Sequence, residues 1–214
     1  MSKSDKEITI TKLVWIFVIG SIAGYLIETS FYLLKHGVFM NKQGLLYGPF
    51  KPIYGLGSVI LSITLNFVKE KKGLFIFIFG SLIGGVFEYL CSVVLEYVFG
   101  TRMWSYAGMG MNINGRVFIP YLPIWGLIAL LWLKVIYPRF NNLFKRIPKI
   151  PLYIVTFLMA LFLIYDVLIS SFATMRMTER AHNIPASTKL ERYLDKHYTD
   201  EYIMKKVPYL TIVE

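Results

Sequence analysis

Long apolar stretches, each interrupted by a single ionisable residue, dominate the chain. Three of them exceed the roughly 20 residues that a helix needs to cross a hydrocarbon core of about 30 Å. These stretches are Leu13–Leu34, Leu74–Leu95 and Ile150–Thr174. The ionisable residues inside them are, in order, Glu28, Glu88 and Asp166. The pattern predicts three membrane-spanning helices that each carry one acid.

Two shorter apolar stretches, Pro52–Val68 and Phe118–Leu133, contain proline near their starts. Proline lacks a backbone donor and suits the first turn of a helix, so Pro52 and Pro123 are expected to mark helix starts. Tyr54 and Trp125 follow these prolines and are aromatic residues typical of a membrane interface. We therefore predict an all-α, polytopic membrane bundle of about five transmembrane helices.

The chain also contains an internal repeat. Residues 20–28, GSIAGYLIE, return as residues 80–88, GSLIGGVFE. Residues 49–56, PFKPIYGL, return as residues 120–127, PYLPIWGL. Small residues in two unrelated helices are the alternative explanation, but glycine, serine, glutamate and proline recur at equal spacings. Duplication of a two-helix unit is favoured, and two helices per copy predict parallel repeats.

The repeat divides the chain into a predicted transmembrane domain and a tail. The expected parts are a transmembrane domain at 1–174, repeat one at about 13–70, repeat two at about 74–137, a fifth span at about 150–174 and an extramembrane tail at 175–214. In the tail, Ser187 is expected to cap a short amphipathic helix starting near Thr188. This helix is expected to lie on the outer surface or to cap the bundle.

Each glutamate of the repeat shares a helix face with two glycines. The two sets, spaced four residues apart, are Gly20, Gly24 and Glu28, and Gly80, Gly84 and Glu88. Small residues at this spacing let membrane helices approach closely, so both glutamates are expected to face protein. A charged side chain at membrane depth costs roughly 2.5 kcal/mol or more and is a candidate functional residue.

A third acid and one arginine complete the predicted site. A helical rise of about 1.5 Å per residue places Asp166 at a depth similar to that of the glutamates. Arg116, in the loop before the fourth span, is expected to pair with a carboxylate or to bind a phosphate-type headgroup. The same loop supplies an amide and two interfacial aromatic residues, Asn112, Trp104 and Tyr106. The alternative is a fixed ion pair that locks the repeats together.

Composition and charge agree with a membrane protein. The chain is 56% hydrophobic with a formal net charge of +10. The cationic residues flank alternate ends of the predicted spans, which predicts a cytoplasmic N-terminus and an external C-terminus. Their positions indicate topology and contact with anionic lipids, and no nucleic-acid partner is expected. These residues are Lys3, Lys6, Lys12, Lys69, Lys71, Lys72, Lys134, Arg139, Lys145, Arg146 and Lys149.

Several motifs resemble one family of bacterial membrane proteins. They are Trp104-x-Tyr106, Asn112-x-x-Gly115-Arg116-Val117, Pro123-Ile124-Trp125-Gly126, the Glu28 segment and Gly48-Pro49-x-x-Pro52-Ile53-Tyr54-Gly55. This combination is similar to the ABC-transporter type IV family, also called CmpB-like permeases. The chain departs from the family pattern at Ser105, where an acid is common. The resemblance covers about residues 13–140 and implies a transport-related protein of the bacterial plasma membrane.

The residues leave three functions open. A permease or transport-associated subunit, with an outward-facing polar site between the repeats, is favoured by the duplication and the paired acids. It would need an ATPase on a separate chain, because the sequence contains no G-x-x-x-x-G-K-[ST] phosphate loop. Five helices are few to enclose a transport path, which favours a homodimer. The alternatives are a non-catalytic scaffold that binds lipids or a partner, and an intramembrane enzyme acting on a lipid headgroup. No catalytic residue, metal ligand or cofactor is predicted.

Overall fold

The computed structural model describes residues 9–65 and 71–213. Some predictions fall on residues outside these ranges. They are the end of repeat one at about residue 70, the end of its second span at Val68, and three of the lysines used to predict the topology, Lys3, Lys6 and Lys69. In the described residues, long helices account for most of the chain and strands are only two residues long. The predicted class, an all-α helical membrane protein, is confirmed.

Eight α-helices are found in the described ranges. They are α1 (Ile10–His36), α2 (Pro52–Leu65), α3 (Gly73–Phe99), α4 (Leu122–Leu131), α5 (Tyr137–Phe144), α6 (Lys149–Ala181), α7 (Lys189–His197) and α8 (Asp200–Lys206). A 3₁₀ turn at Ile119–Tyr121 leads into α4, and a π-helical turn at Trp132–Ile136 joins α4 to α5. Four segments are long and apolar enough to cross a membrane, namely α1, α3, Ile119–Phe144 and α6. The described apolar part of α2, Pro52–Thr64, is shorter.

The helices form two antiparallel hairpins, α1 with α2 and α3 with α4. Both hairpins have glycine at the crossing. A Cβ atom at Gly20 would lie 2.3 Å from the hydroxyl oxygen of Ser58, and one at Gly80 would lie 2.3 Å from the Cβ atom of Ala129. Such distances are far below van der Waals contact, so a larger residue at either glycine would push the two helices apart.

An apolar core at the α1 N-terminal end of the bundle joins the hairpins. Its buried residues include Ile16 of α1, Leu61 of α2, Ile76 of α3 and Ala129 of α4. Helix α6 packs on α1 and on α3. The α1–α6 contact includes a hydrogen bond of 2.8 Å from the indole N–H of Trp15 to the hydroxyl of Thr156. Helix α6 thus lies beside both hairpins.

Short strands lie at the opposite end of the bundle. They are β1 (Thr101–Arg102), β2 (Asn112–Ile113), β3 (Val117–Phe118) and β4 (Thr211–Ile212). Strands β2 and β3 form a hairpin whose turn contains Asn114 at φ 50° and Gly115 at φ 67°. Asparagine and glycine are the residues that adopt this left-handed conformation most readily. Strand β1 pairs with β4, which connects α3 to the tail.

The tail packs over this end of the bundle and contains two helices, where the sequence predicted one. Helix α7 begins after Thr188, whose hydroxyl accepts the Glu191 N–H while the Glu191 carboxylate accepts the Thr188 N–H. This capping box makes Thr188 the N-cap, and the predicted cap, Ser187, is wrong. The buried apolar residues of the tail join the α1–α2 loop and α6 in one cluster, Leu46, Ala173, Met177, Leu194, Tyr198, Ile203, Val207 and Leu210.

Candidate polar site between the two hairpins

The first half of the candidate site surrounds Glu28 on α1. Lys51, the residue before α2, forms an ion pair with the Glu28 carboxylate through its ammonium group. The phenol of Tyr54, in the first turn of α2, donates a hydrogen bond of 2.8 Å to the same carboxylate. Lys51 is buried, whereas the Glu28 side chain keeps 30% of its surface exposed. Glu28 therefore connects α1 to the start of α2 through one charged and one neutral donor.

The second half surrounds Glu88 on α3. The indole N–H of Trp125, in the first turn of α4, donates a hydrogen bond of 3.1 Å to its carboxylate. The phenol of Tyr106 donates a second bond of 3.0 Å from the α3–α4 loop. Burial raises the pKa of Tyr106, and the nearby Glu88 charge adds to the rise, so this phenol keeps its proton and acts as a donor. Glu88 is only 7% exposed and, among the described contacts, has neutral donors alone.

The two aromatic donors reach their glutamates because a glycine lies beneath each ring. A Cβ atom at Gly24 would lie 2.2 Å from Cγ of Tyr54, and one at Gly84 would lie 2.3 Å from Cγ of Trp125. The ring therefore lies directly on the helix backbone, one turn before the glutamate that it contacts. The centroids of the Tyr54 and Trp125 rings are 6.5 Å apart, so the two halves meet at these rings.

The two halves differ in charge. The repeat aligns Lys51 with Leu122, so the ammonium group that pairs with Glu28 has no counterpart at Glu88. The first half carries a second cation, because the ammonium groups of Lys42 and Lys51 lie 4.6 Å and 4.7 Å from the ring centroid of Tyr209. Distances below about 6 Å allow cation–π attraction. The tail residue Tyr209 thus covers the Glu28 half of the site.

Arg116 pairs with a different acid from those at the centre of the predicted site. Its guanidinium contacts the Glu96 carboxylate at 2.9 Å and the Ser92 hydroxyl at 3.1 Å. Arg102 contacts the same carboxylate oxygen of Glu96 at 2.8 Å. The indole N–H of Trp104 donates a bond of 2.9 Å to the Arg116 carbonyl, which fixes the loop. This ion cluster lies two helical turns beyond Glu88.

The other predicted loop residue, Asn112, shapes the turn that presents Arg116. Its side-chain carbonyl accepts a hydrogen bond of 2.7 Å from the backbone N–H of Gly115. An asparagine that binds the backbone in this way stabilises a turn. Asn112 therefore contacts the backbone of its own loop rather than the glutamates.

Asp166 contacts groups other than the two glutamates. One of its carboxylate oxygens accepts bonds of 3.1 Å from the backbone N–H of Tyr47 and 3.1 Å from the Ser170 hydroxyl. Its other oxygen has no hydrogen-bond partner in the described part of the chain. These contacts connect α6 to the α1–α2 loop. The contacts of Asp166 include neither glutamate, whereas Tyr54 and Trp125, the partners of Glu28 and Glu88, have neighbouring rings; the convergence of the three acids stays a prediction.

Lys51, Glu96 and Arg102 are partners that the sequence prediction did not include in the site. Lys51 precedes Tyr54 by three residues, and this one-turn spacing could have indicated a shared partner. Glu96 follows Glu88 by eight residues and so lies on the same face of α3. Nothing in the local sequence of Arg102 indicates that it would share Glu96 with Arg116. In the described ranges, no group of three or more His, Cys, Asp or Glu side chains has the geometry of a metal site.

The model of the family described as Putative ABC-transporter type IV matches residues 15–171. The chain belongs to this family. The match covers both hairpins and most of α6, and it confirms the resemblance found in the sequence motifs. No match was found among curated proteins, and none among solved structures.

Membership of the ABC-transporter type IV family also defines the general class of the protein. Together with four apolar helices of membrane-spanning length, it identifies a membrane protein associated with transport. The family assignment suggests association with an ATPase subunit and with membrane lipids. Residues after 171 lie outside the matched region, so Tyr209, which contacts Lys42 and Lys51, belongs to the part of the chain that the family model does not cover.

Proposed function

We propose that this protein is a permease or a transport-associated subunit with a polar ligand site between its two hairpins. The observation that carries the proposal is the meeting of the Glu28 and Glu88 halves through Tyr54 and Trp125. Carboxylates at membrane depth are costly and are retained at transport and relay sites. Their position between two similar hairpins matches the repeat interface at which transporters bind substrates.

Glu88 is the residue on which we expect ligand binding to depend most. Glu28 already has a cationic partner in Lys51, whereas the described contacts of Glu88 are neutral donors. A carboxylate without a cation can accept the cationic group of a solute or a proton, because either removes the cost of an unpaired buried charge. Glu28 is expected to align α2 and thereby to hold the Tyr54 ring opposite Trp125.

The proposal includes an orientation and an origin. We place the N-terminus in the cytoplasm of a bacterium and the polar site toward the exterior of its plasma membrane, as the distribution of lysine and arginine indicates. We further propose that the hairpins descend from one duplicated unit. The matching roles of Gly24, Tyr54 and Glu28 and of Gly84, Trp125 and Glu88 support this origin. Energy would come from an ATPase on a separate chain.

The test is a comparison of the native chain with Glu88→Gln and with the matched control Glu201→Gln in the exposed part of α8. Each tagged variant is purified from its bacterial membrane in mild detergent, and bound P-loop ATPase and ATP hydrolysis are measured. We expect an ATPase at fixed stoichiometry in all three preparations. We expect hydrolysis to fall at least tenfold for Glu88→Gln alone, which corresponds to about 1.4 kcal/mol or more. Absence of an ATPase, or equal hydrolysis in all preparations, would refute the proposal.

A non-catalytic scaffold remains the second candidate because the charged groups are extensively paired. The Glu28–Lys51 pair would fix α1 to the start of α2, and the Glu96 cluster with Arg102 and Arg116 would fix α3 to the loop that follows it. In that case Glu88→Gln would change the midpoint of thermal unfolding and leave ATP hydrolysis unchanged. The two measurements on the same preparation therefore separate the candidates.

A further inference from the structure

A cavity of about 350 Å³ lies between α2, α3 and α6. Its volume falls within the range of about 300 to 1,000 Å³ that is usual for ligand pockets. Most of its wall is hydrocarbon, contributed by residues such as Leu56, Phe87, Leu90, Val94 and Val167. Neither Glu28 nor Glu88 lines it, and Lys51, whose ammonium group pairs with Glu28, is a residue that the cavity shares with the polar site.

The polar residues of the cavity wall gather at one end. Lys51, Thr101 and Thr174 belong to the end of the bundle where the loops and the tail lie, whereas Leu56 and Phe87 lie deeper in the spans. Thr101 is completely buried, and its hydroxyl has no hydrogen-bond partner in the described residues. A buried polar group without a partner is unusual, and a missing ligand or water is one of its common explanations.

The deeper part of the cavity opens toward the bilayer. Leu56, Leu90 and Val94 line it, and they keep 46%, 55% and 50% of their surfaces exposed. All three lie within the apolar helices α2 and α3, and not in the loops. A molecule dissolved in the membrane can therefore enter from the side, without passing through the polar site.

We propose that this cavity binds a membrane phospholipid, with an acyl chain in the apolar part and the ester and phosphate oxygens at Thr101 and Lys51. Lipid tails are as apolar as the cavity wall, so hydrocarbon contact alone does not select a ligand. Selection must come from the polar end. The hydroxyl and ammonium groups there can all donate hydrogen bonds, so they fit a head rich in acceptor oxygens. This inference goes beyond the proposed function and does not require Glu88 to bind a solute.

The first test uses the chain in nanodiscs that contain phosphatidylglycerol with a photoactivatable diazirine near the end of its acyl chain. Cross-links are mapped by mass spectrometry. We expect them to concentrate on α3 around Cys91, which lines the cavity and is the sole cysteine of the chain. Cys91→Phe fills the cavity and should reduce the yield there at least fivefold. The control Val86→Phe adds a ring to an exposed position of α3 and should leave the yield unchanged.

The second test addresses the polar end. Thr101→Val keeps the side-chain shape and removes a hydroxyl that has no hydrogen-bond partner among residues 9–65 and 71–213, so folding should be preserved. Loss of one hydrogen bond to the lipid should lower the cross-linking yield by roughly fivefold at equal lipid concentration. The same measurement with phosphatidylcholine carrying the diazirine chain shows whether the net charge of the lipid head affects the yield, because both lipids share the phosphate ester.

Two results would overturn the inference. One is a cross-linking yield for Cys91→Phe that equals the yields for the native chain and for Val86→Phe. The other is a cross-linking yield for Thr101→Val that is unchanged with both lipids. If Cys91→Phe does not fold, alkylation of native Cys91 by N-ethylmaleimide replaces it. Phosphatidylglycerol added to lipid-depleted protein should then slow alkylation, and an unchanged rate counts against the inference. Lipid binding without any effect of Glu88→Gln on ATP hydrolysis would support this site and refute the proposed function.

Discussion

At the scale of single residues, two glycines determine where the largest side chains of the site can lie. Gly24 and Gly84 allow the rings of Tyr54 and Trp125 to lie on the helix backbone. From there the Tyr54 phenol and the Trp125 indole each donate a hydrogen bond to the glutamate one helical turn further along. The donor and the acceptor come from different helices, so the hydrogen bond also fixes how far each hairpin is closed.

Replacing Gly84 by alanine should therefore destabilise the protein. The new Cβ atom would lie 2.3 Å from Cγ of Trp125, and the ring would have to move away from Glu88. Overpacking of this kind costs about 1–3 kcal/mol. We expect a lower midpoint of thermal unfolding in detergent and a changed tryptophan emission spectrum.

The matched control is Gly73→Ala in the same helix, where the nearest side-chain atom, Cδ2 of Leu130, would be at an ordinary 3.7 Å. Alanine favours helix over glycine by about 0.5–1 kcal/mol, so this variant should be as stable as the native chain or more stable. A Gly84→Ala variant that behaves like Gly73→Ala would show that the Trp125 ring can move without cost.

The sequence indicated the helix faces of these residues but not their partners. The four-residue spacing of Gly80, Gly84 and Glu88 determines that they share one face of a helix, whatever packs against it. The ion pair of Glu28 with Lys51 depends on the path of the loop between α1 and α2. Likewise, Arg116 meets Glu96 because the β2–β3 turn points it there. Such loop paths follow from non-local contacts that a helical period does not encode.

At the scale of elements, an ion cluster holds the tail to the bundle. Arg176 near the end of α6 is 3% exposed and contacts Asp195 of α7 at 2.8 Å and Glu179 at 2.6 Å. Arg180 contacts Asp195 and Asp200, the first residue of α8. The arginines of one long helix thereby position two short helices that have few residues of their own to bury.

This cluster makes docking of the tail sensitive to acid. Hydrogen bonds from Arg176, and further ones from Arg180, hold the pKa of Asp195 below its usual value. A carboxyl whose folded pKa is lowered contributes stability above its unfolded pKa, near 3.9, and loses it as the pH falls through the folded pKa. We expect hydrogen exchange of the α7 and α8 amides to increase as the pH falls below about 4.

Asp195→Asn should remove most of this pH dependence and should already exchange faster at neutral pH. Glu201→Gln, an exposed substitution on α8, should behave like the native chain. Equal acid sensitivity of the native chain and Asp195→Asn would exclude Asp195 as its source.

The elements of the membrane region were more predictable than those of the tail. Apolar stretches longer than a bilayer crossing specify helices by themselves, because every backbone polar group must be satisfied inside the span. The tail has no such constraint. Helix α8 has seven residues, and its buried Ile203 packs with Leu46 and Ala173 from distant parts of the chain. A local hydrophobic pattern of that length does not specify a helix.

At the scale of the whole molecule, both interhelical loops of the hairpins and the tail lie at one end of the bundle. Lys42 of the first loop and Tyr209 of the tail are in contact, and β1 after α3 pairs with β4 of the tail. The α4–α5 segment and the start of α6 lie at the other end. The positive residues of that other end predict that it is cytoplasmic.

Cysteine labelling in intact cells tests this orientation. In a Cys91→Ser background, Gly110→Cys introduces a thiol in the α3–α4 loop, where a Cβ atom has open space. Asn142→Cys introduces one on the exposed surface of α5. A membrane-impermeant maleimide should label Gly110→Cys in intact cells and Asn142→Cys only after permeabilisation. The reverse result would invert the proposed topology.

The pairing of β1 with β4 also bears on the order in which the molecule is assembled. The hydrogen bond from Thr211 to Arg102 joins residues 109 positions apart, so β1 leaves the ribosome long before its partner strand exists. Until β4 is synthesised, β1, which contains Thr101, lacks its partner strand. The helices that surround the cavity are complete by then. The β1–β4 pair therefore forms late, and the lipid that we propose for the cavity can enter before the tail pairs with Thr101.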